Sequence, residues 1–511
     1  MAIKIYPVIK TENQCEDYKV KINGKEVELN TARVSAVPFN RRWPGHQRGL
    51  EQTELINFLS CAADEPIDFE ITPKNPFEKI DIRPKSLGIV PKKTDNGTIV
   101  FTLDRPSYFT VEPFGRNNAL HIFVDPIANY NIDFKDENVI YFGKGEHNVG
   151  EIELKSNQTL FIDEGAVVYA CVKAIDAENI KILGRGILDN SHNKEKILFE
   201  FNVENNDVAI NNAKRQHTVQ LEYCTNIEIE GITIRDSLVY NIRPIGCKNL
   251  HISNVKIIGC WRYNSDGIDM HNCEDVLIEN CFLRTFDDSI CVKGFDCYYE
   301  GDVEKAVNEA MYRNGKSYDV FKNVIVRNCV IWNDWGKCLE IGAETRGKEI
   351  FNILFEKCDV IHVNGSPLDC CNVDYADVHD IEYRNINIEY DDVVPASKIQ
   401  TADNERYIND NREYYPEIIR VTVEFNHEYS AGGTRRGINR NITFRNIRLF
   451  GRHEPKIFCK GYDEKHKTKD IVIDNLYWND RLITELDDNI LVPGEFTENI
   501  RLEATDLSEL E

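Results

Sequence analysis

The chain contains no run of about 18 apolar residues, so nothing in it reads as a membrane-spanning helix. Its first residues, Met1-Ala2-Ile3-Lys4-Ile5-Tyr6-Pro7, lack the apolar stretch and small-residue cleavage site of a secretory leader. Positive charge is scarce: 61 Lys and Arg stand against 85 Asp and Glu, a net charge of -24. That balance argues against nucleic acid, whose phosphates need neutralising, and against anionic membranes. No Cys-x-x-Cys spacing suggests zinc. The 16 cysteines, including the vicinal pair Cys370-Cys371, therefore read as thiols, and a cytoplasmic location is expected.

At 511 residues, 42% hydrophobic and 29% charged, the chain has ample material for a core. It is too long for one ordinary core, which leaves two domains or a solenoid. Residues 1–135 carry short alternating runs such as Asp68–Thr72 and Gly97–Leu103, with turn signals between them. They predict a small antiparallel β-sandwich. Arg41-Arg42-Trp43-Pro44-Gly45-His46 is a cationic and aromatic loop, readable as part of a sugar site or as an inter-domain contact.

From residue 136 to 511 an internal repeat takes over. Asn179-Ile-Lys-Ile-Leu-Gly184 aligns with the six-residue units opening at Asn226, Asn249, Asp275, Asn323, Asn352, Asp380, Asn441 and Asp470. Asn or Asp opens each unit and Asn or Gly closes it five residues later, except at Lys357. Alternation of period two makes each unit a half-buried strand, and Asn and Gly tolerate the left-handed backbone of a bend. Start-to-start spacings are often 23 to 29 residues, and wider gaps read as two turns or as insertions. The pattern predicts an all-β fold: a right-handed parallel β-helix solenoid behind the sandwich. Cys281, Cys329 and Cys358 fall at one position of the repeat and read as stacked core residues. Insertions are expected near 297–321, with a short amphipathic helix at 303–311, and near 391–440, which holds Arg406, Tyr407, Arg412, Tyr414 and Tyr415. The acidic tail from Glu495 caps the last coil or frays.

The stretch Asn264–Gly294 carries the chemistry. Asp287 follows Asp266 by 21 residues, about one coil, so Asp266, Asp287 and Asp288 are expected on one patch. Ile268, Met270, Ile290 and Val292 look inward, so a turn or bulge must reset the alternation to keep Asp266 and Asp288 out of the core. Clustered carboxylates suit glycoside hydrolysis, one held protonated as acid and the others activating water. An Asp-rich turn that binds calcium or caps strands fits the spacing as well.

Asn264-Ser265-Asp266-Gly267, Asp287-Asp288 and Gly336-Lys337-Cys338-Leu339-Glu340-Ile341-Gly342 resemble, in order, three signature blocks of glycoside hydrolase family 28, the polygalacturonases. The resemblance covers roughly residues 140 to 480. It implies a right-handed parallel β-helix, an inverting mechanism and neither metal nor cofactor. Asp287 would be the general acid, and Asp266 and Asp288 would hold and activate the water. Lys337 stands where that family carries a histidine between two glycines, and its later Arg-x-Lys pair has no counterpart. An aspartate trio without the histidine, behind a sandwich, is more similar to family 49, the dextranase and isopullulanase group. The expected partner is therefore a carbohydrate with an α-glycosidic bond, possession of a uronate being in question; self-association stays open.

Further candidates for binding substrate surround the trio. Lys337 offers a cation to a carboxylate or hydroxyl, or pairs with Asp334; Lys293 neutralises Asp266 or lines a subsite. Glu340 and Glu344 offer carboxylates to sugar hydroxyls, and Trp335 a ring face. Arg262 and His271 flank Asp266. Two other classes fit a β-helix: a polysaccharide lyase or epimerase acting on a uronate, and a non-catalytic sugar-binding solenoid.

Overall fold

The computed structural model describes residues 3–11, 14–36, 41–42, 53–196, 199–202, 207–210, 216–262, 264–295, 303–363, 365–390, 398–399, 415–426, 430 and 435–505. Trp43 to His46, Arg406, Tyr407, Arg412 and Tyr414 lie outside these residues. So does the tail beyond Thr505.

Two sheets, one of six strands and one of five, occupy Ile3 to Asp125 and enclose a core around Val20, Phe69, Phe109 and Ile122. The sandwich is not purely antiparallel: Leu120–Asp125 runs parallel to Thr53–Ala63. From Val139 to Glu503, thirty described strands wind into one continuous sheet, a parallel β-helix. Each coil contributes three strands. In the coil that carries Asp287 they are Glu274–Glu279, Phe282–Thr285 and Ile290–Lys293, stacked on Lys248–Ser253, Lys256–Ile258 and Ile268–His271 of the coil below.

Local chemistry explains the winding. The unit-opening residues Asn179, Asn226, Asn249, Asp275, Asn323, Asn352, Asp380, Asn441 and Asp470 all sit at positive φ, as do the closing residues Asn254, Asn280, Asn328, Asn385, Asn446 and Asn475. Their short polar side chains make the left-handed backbone affordable. Lys357 adopts φ 52° without that help, at a cost of roughly 1 kcal/mol. The opening amides form a ladder, with Asn226 donating to Asn179 at 2.9 Å and Asn249 to Asn226 at 2.8 Å. Inside, Ile, Val, Leu and the column Cys281, Cys329 and Cys358 stack in the core. The wide gaps in the repeat are single coils with insertions, since the strand at Glu178–Gly184 pairs directly with Thr225–Glu230. A third insertion, between Asp189 and Val219, went unread in the sequence because it interrupts a coil without a periodic signature of its own.

The sandwich docks on the face made by the second strand of each coil. Val34, Ile56, Phe58 and Phe123 pack against Ile258, Phe282, Val330 and Trp332. Buried charges cross the junction: Lys256 lies 3.0 Å from Asp125, and His362 lies 3.0 Å from Glu112. Arg41–Arg42 pairs with Lys398–Ile399, so this loop meets the second insertion. The helix Val303–Met311 forms as expected, and Met311 packs on Ile245 and Phe295. Thr497–Glu503 is the last rung, paired with Thr468–Trp478.

Candidate active site

Five third-position strands carry the site: β1 (Ile268–His271), β2 (Ile290–Lys293), β3 (Leu339–Ala343), β4 (Leu368–Asn372) and β5 (Ile419–Val423). They pair in parallel, in that order. Ile268, Ile290, Leu339, Leu368 and Ile419 point into the core. The next residue on each strand, Asp269, Cys291, Glu340, Asp369 and Arg420, faces outward and forms one column.

Asp266 and Asp287-Asp288 lie in the bends just before β1 and β2. Those bends reset the alternation: one oxygen from each of the three carboxylates lies within 4.8 Å of the others. Close backbone approach makes this fit. A Cβ on Gly267 would stand 2.2 Å from the Ser289 carbonyl oxygen, and one on Gly336 would stand 2.3 Å from the Asp288 nitrogen. The Lys337 N–H donates to Asp288 Oδ1 at 2.9 Å, and the Asp288 N–H donates to Asp287 Oδ1 at 2.9 Å. Two buried asparagines hold the bends. Asn241 donates to the Asp266 carbonyl at 2.6 Å, and Asn333 to the Asp287 carbonyl at 2.6 Å.

Lys293 is the hub. Buried to 3% exposure, its ammonium lies 3.1 Å from Asp269, 3.4 Å from Asp288, 3.6 Å from Glu344 and 3.8 Å from Asp266. It supplies at the centre of the cluster the positive charge that a cation would otherwise bring. Lys337 does not pair with Asp334, which Arg116 and Trp332 hold; it lies 3.9 Å from Asp369. Arg420 lies 3.5 Å from Asp369 and 2.6 Å from Glu424. Lys293, Lys337 and Arg420 thus lie among eight carboxylates, Asp266, Asp269, Asp287, Asp288, Glu340, Glu344, Asp369 and Glu424, and Lys460 also acts on Glu424.

The trio's members titrate apart. Burial, then the negative charge of Asp288, pushes Asp287 well above the usual carboxylate range. Burial, then Asp269 and Asp287, does the same to Asp266. Burial also works against ionised Asp288, but Lys293, Lys337, the Lys337 N–H and a hydrogen bond with Glu340 outweigh it, and its pKa falls. Glu340 itself is raised by burial and by Asp288. One carboxyl keeps its proton while its neighbour stays charged, the division of labour that acid–base catalysis requires.

Three further expected residues have contacts of their own beside the trio's bends. Arg262 is ion-paired with Asp236 and lies over Trp261. His271 Nδ1 sits 2.9 Å from the Gly294 carbonyl oxygen. Trp335 is half-buried, with its ring 5.6 Å from that of Phe286. Sequence reading missed Asp269, Asp369, Arg420 and Glu424 as site residues. Alternation along β1, β4 and β5 was the signal, once the strands were placed in register.

Comparison with known proteins finds partial matches. The family model described as Glycosyl hydrolases family 28 matches residues 145–395. A probable polygalacturonase of Vitis vinifera is 24% identical over 234 residues, 41% of this chain and 44% of that protein. A polygalacturonase of Gossypium barbadense is 30% identical over 145 residues, 28% of this chain and 33% of that one. The chain thus spans less than half the length of these curated relatives. The structure of Dex49A from Penicillium minioluteum is similar in fold, with a TM-score of 0.55 at 13% identity, over 96% of this chain and 89% of that one.

Proposed function

We propose, on the premise that residues 145–395 match glycosyl hydrolases family 28, that this chain is an inverting glycoside hydrolase of α-linked oligo- or polysaccharide. The observation that carries the reading is the trio with its opposed titration: Asp287 held protonated beside Asp288 held ionised. Asp287 gives its proton to the leaving glycosidic oxygen. Asp288, as base, takes a proton from water, and Asp266 orients that water. The shortest oxygen separations, within 4.8 Å, fall below the roughly 6.5–9.5 Å usual between an inverting acid and base.

A neutral sugar at the reacting subsites is favoured because the later Arg-x-Lys pair of family 28 has no counterpart in this sequence. Glu340, Asp369 and Glu424 suit hydroxyls instead. The fifteen cysteines among the described residues are free thiols, which supports a reducing, cytoplasmic setting. The test is a panel of α-glucans, α-galactosides and galacturonides incubated with the protein. Reducing ends released from a neutral α-linked substrate, without ultraviolet-absorbing unsaturated products, support the proposal. Unsaturated products would make it a lyase. Binding without turnover would make it a sugar-binding solenoid.

A further inference from the structure

A cavity of about 540 Å³ lies beside the junction of sandwich and β-helix, at the corner between the first and second strands of the coils that line it. The aspartate trio occupies the next corner, between second and third strands, on the far side of the docked sandwich. The β-helix wall of the cavity is the column of unit-closing residues Asn254, Asn280, Asn328, Lys357 and Asn385, one from each of five successive coils. The opposite wall is the sandwich turn Arg105-Pro106-Ser107.

Two features separate this wall from an ordinary asparagine ladder. Lys357 breaks the column: beyond it Asn446 donates to Asn385 at 2.7 Å, whereas before it the described amides are not paired along the column. The exposed amides of Asn280 and Asn328 have no side-chain partner among the described residues, whereas the opening column pairs Asn352 with Asn323 at 2.8 Å. The exposed cations Arg105 and Lys357 also have no ion-pair partner among the described residues, in a chain of net charge -24. The acid in the cavity, Asp359, is occupied by Ser86 at 2.8 Å and Asn387 at 2.8 Å.

We propose that this groove binds an acidic oligosaccharide, with Arg105 and Lys357 taking its carboxylates. The amides of Asn280 and Asn328 each donate and accept, which suits hydroxyls in succession. Pro106 and the ring of Tyr108 give apolar surface for the C–H faces of a sugar. Two cations match a short acidic glycan better than a nucleic acid, which needs many phosphate contacts. The proposal stands whether or not the aspartate trio is catalytic.

Calorimetric titration of the full-length chain in an Asp287→Asn background tests it, with tetra-galacturonate, its methyl ester and a tetraglutamate peptide as probes. Tetra-galacturonate should bind, and more weakly as salt rises. Lys357→Asn with Arg105→Gln should weaken it about tenfold, with a melting temperature no lower than that of the parent chain. The ester and the peptide should bind at least tenfold more weakly than the acid. No binding of the acid, unchanged affinity in the double variant, or equal binding of either control overturns the proposal. In the otherwise unmodified enzyme, the same two substitutions should leave turnover of a neutral substrate unchanged.

Discussion

Two corners of the same coils carry opposite electrostatics. At the trio's corner Lys293 is matched by four carboxylates, Lys337 by Asp369, and Arg420 by Asp369 and Glu424. At the corner beside the sandwich, Arg105 and Lys357 face a groove with no ion-pair partner among the described residues. The scaffold is indifferent to which it carries. Strand stacking and inward Ile, Val and Leu build the coil, and the outward or turn residue repeated once per coil writes the local chemistry. A site on such a fold is therefore a column, read across coils and not along the chain.

Substitutions that break the comparison come first at the trio. Asp287→Asn should lower kcat by about 10²–10⁴-fold with KM little changed, the loss of a general acid, as steady-state kinetics will show. Lys293→Met should destabilise the fold by roughly 3–5 kcal/mol, because it strands several buried carboxylates. The sign with pH follows from the raised pKa values of Asp266 and Asp269. These groups favour their neutral forms once the ammonium is gone, so the deficit in chemical denaturation should shrink as pH falls.

Lys337→Met removes one of the charges that keep Asp288 low. The acid limb of kcat/KM should then move up by about one pH unit, while turnover of a neutral substrate at its optimum falls less than tenfold. If Lys337 instead grips a uronate, the loss would appear in KM for an acidic substrate. The smallest effect belongs to the other corner. Lys357→Asn should stabilise by about 1 kcal/mol through relief of the left-handed strain, with kcat unchanged, as urea denaturation and kinetics will show.

Much of the scaffold was legible in the chain. Asn and Asp at fixed intervals marked the bends because few other residues accept positive φ, and all nine opening residues adopt it. The trio was legible because Asp266 and Asp287 are one coil apart. Partners lying across insertions were not. Arg420 is one coil from Asp369 in space but 51 residues away in sequence, since the second insertion intervenes. Lys337 was weighed against Asp334, three residues off, whereas register sends it to Asp369 on the next rung. The groove beside the sandwich depends on two distant segments meeting, and its one trace in the sequence was Lys357 in an asparagine's place.

The central claim is that Asp287 and Asp288 act as acid and base across an inverted bond. Proton NMR during the first minutes of hydrolysis of a cleaved α-linked oligosaccharide tests it most directly. The account predicts that the new reducing end appears first as the β-anomer and then mutarotates. A first-formed α-anomer would contradict it.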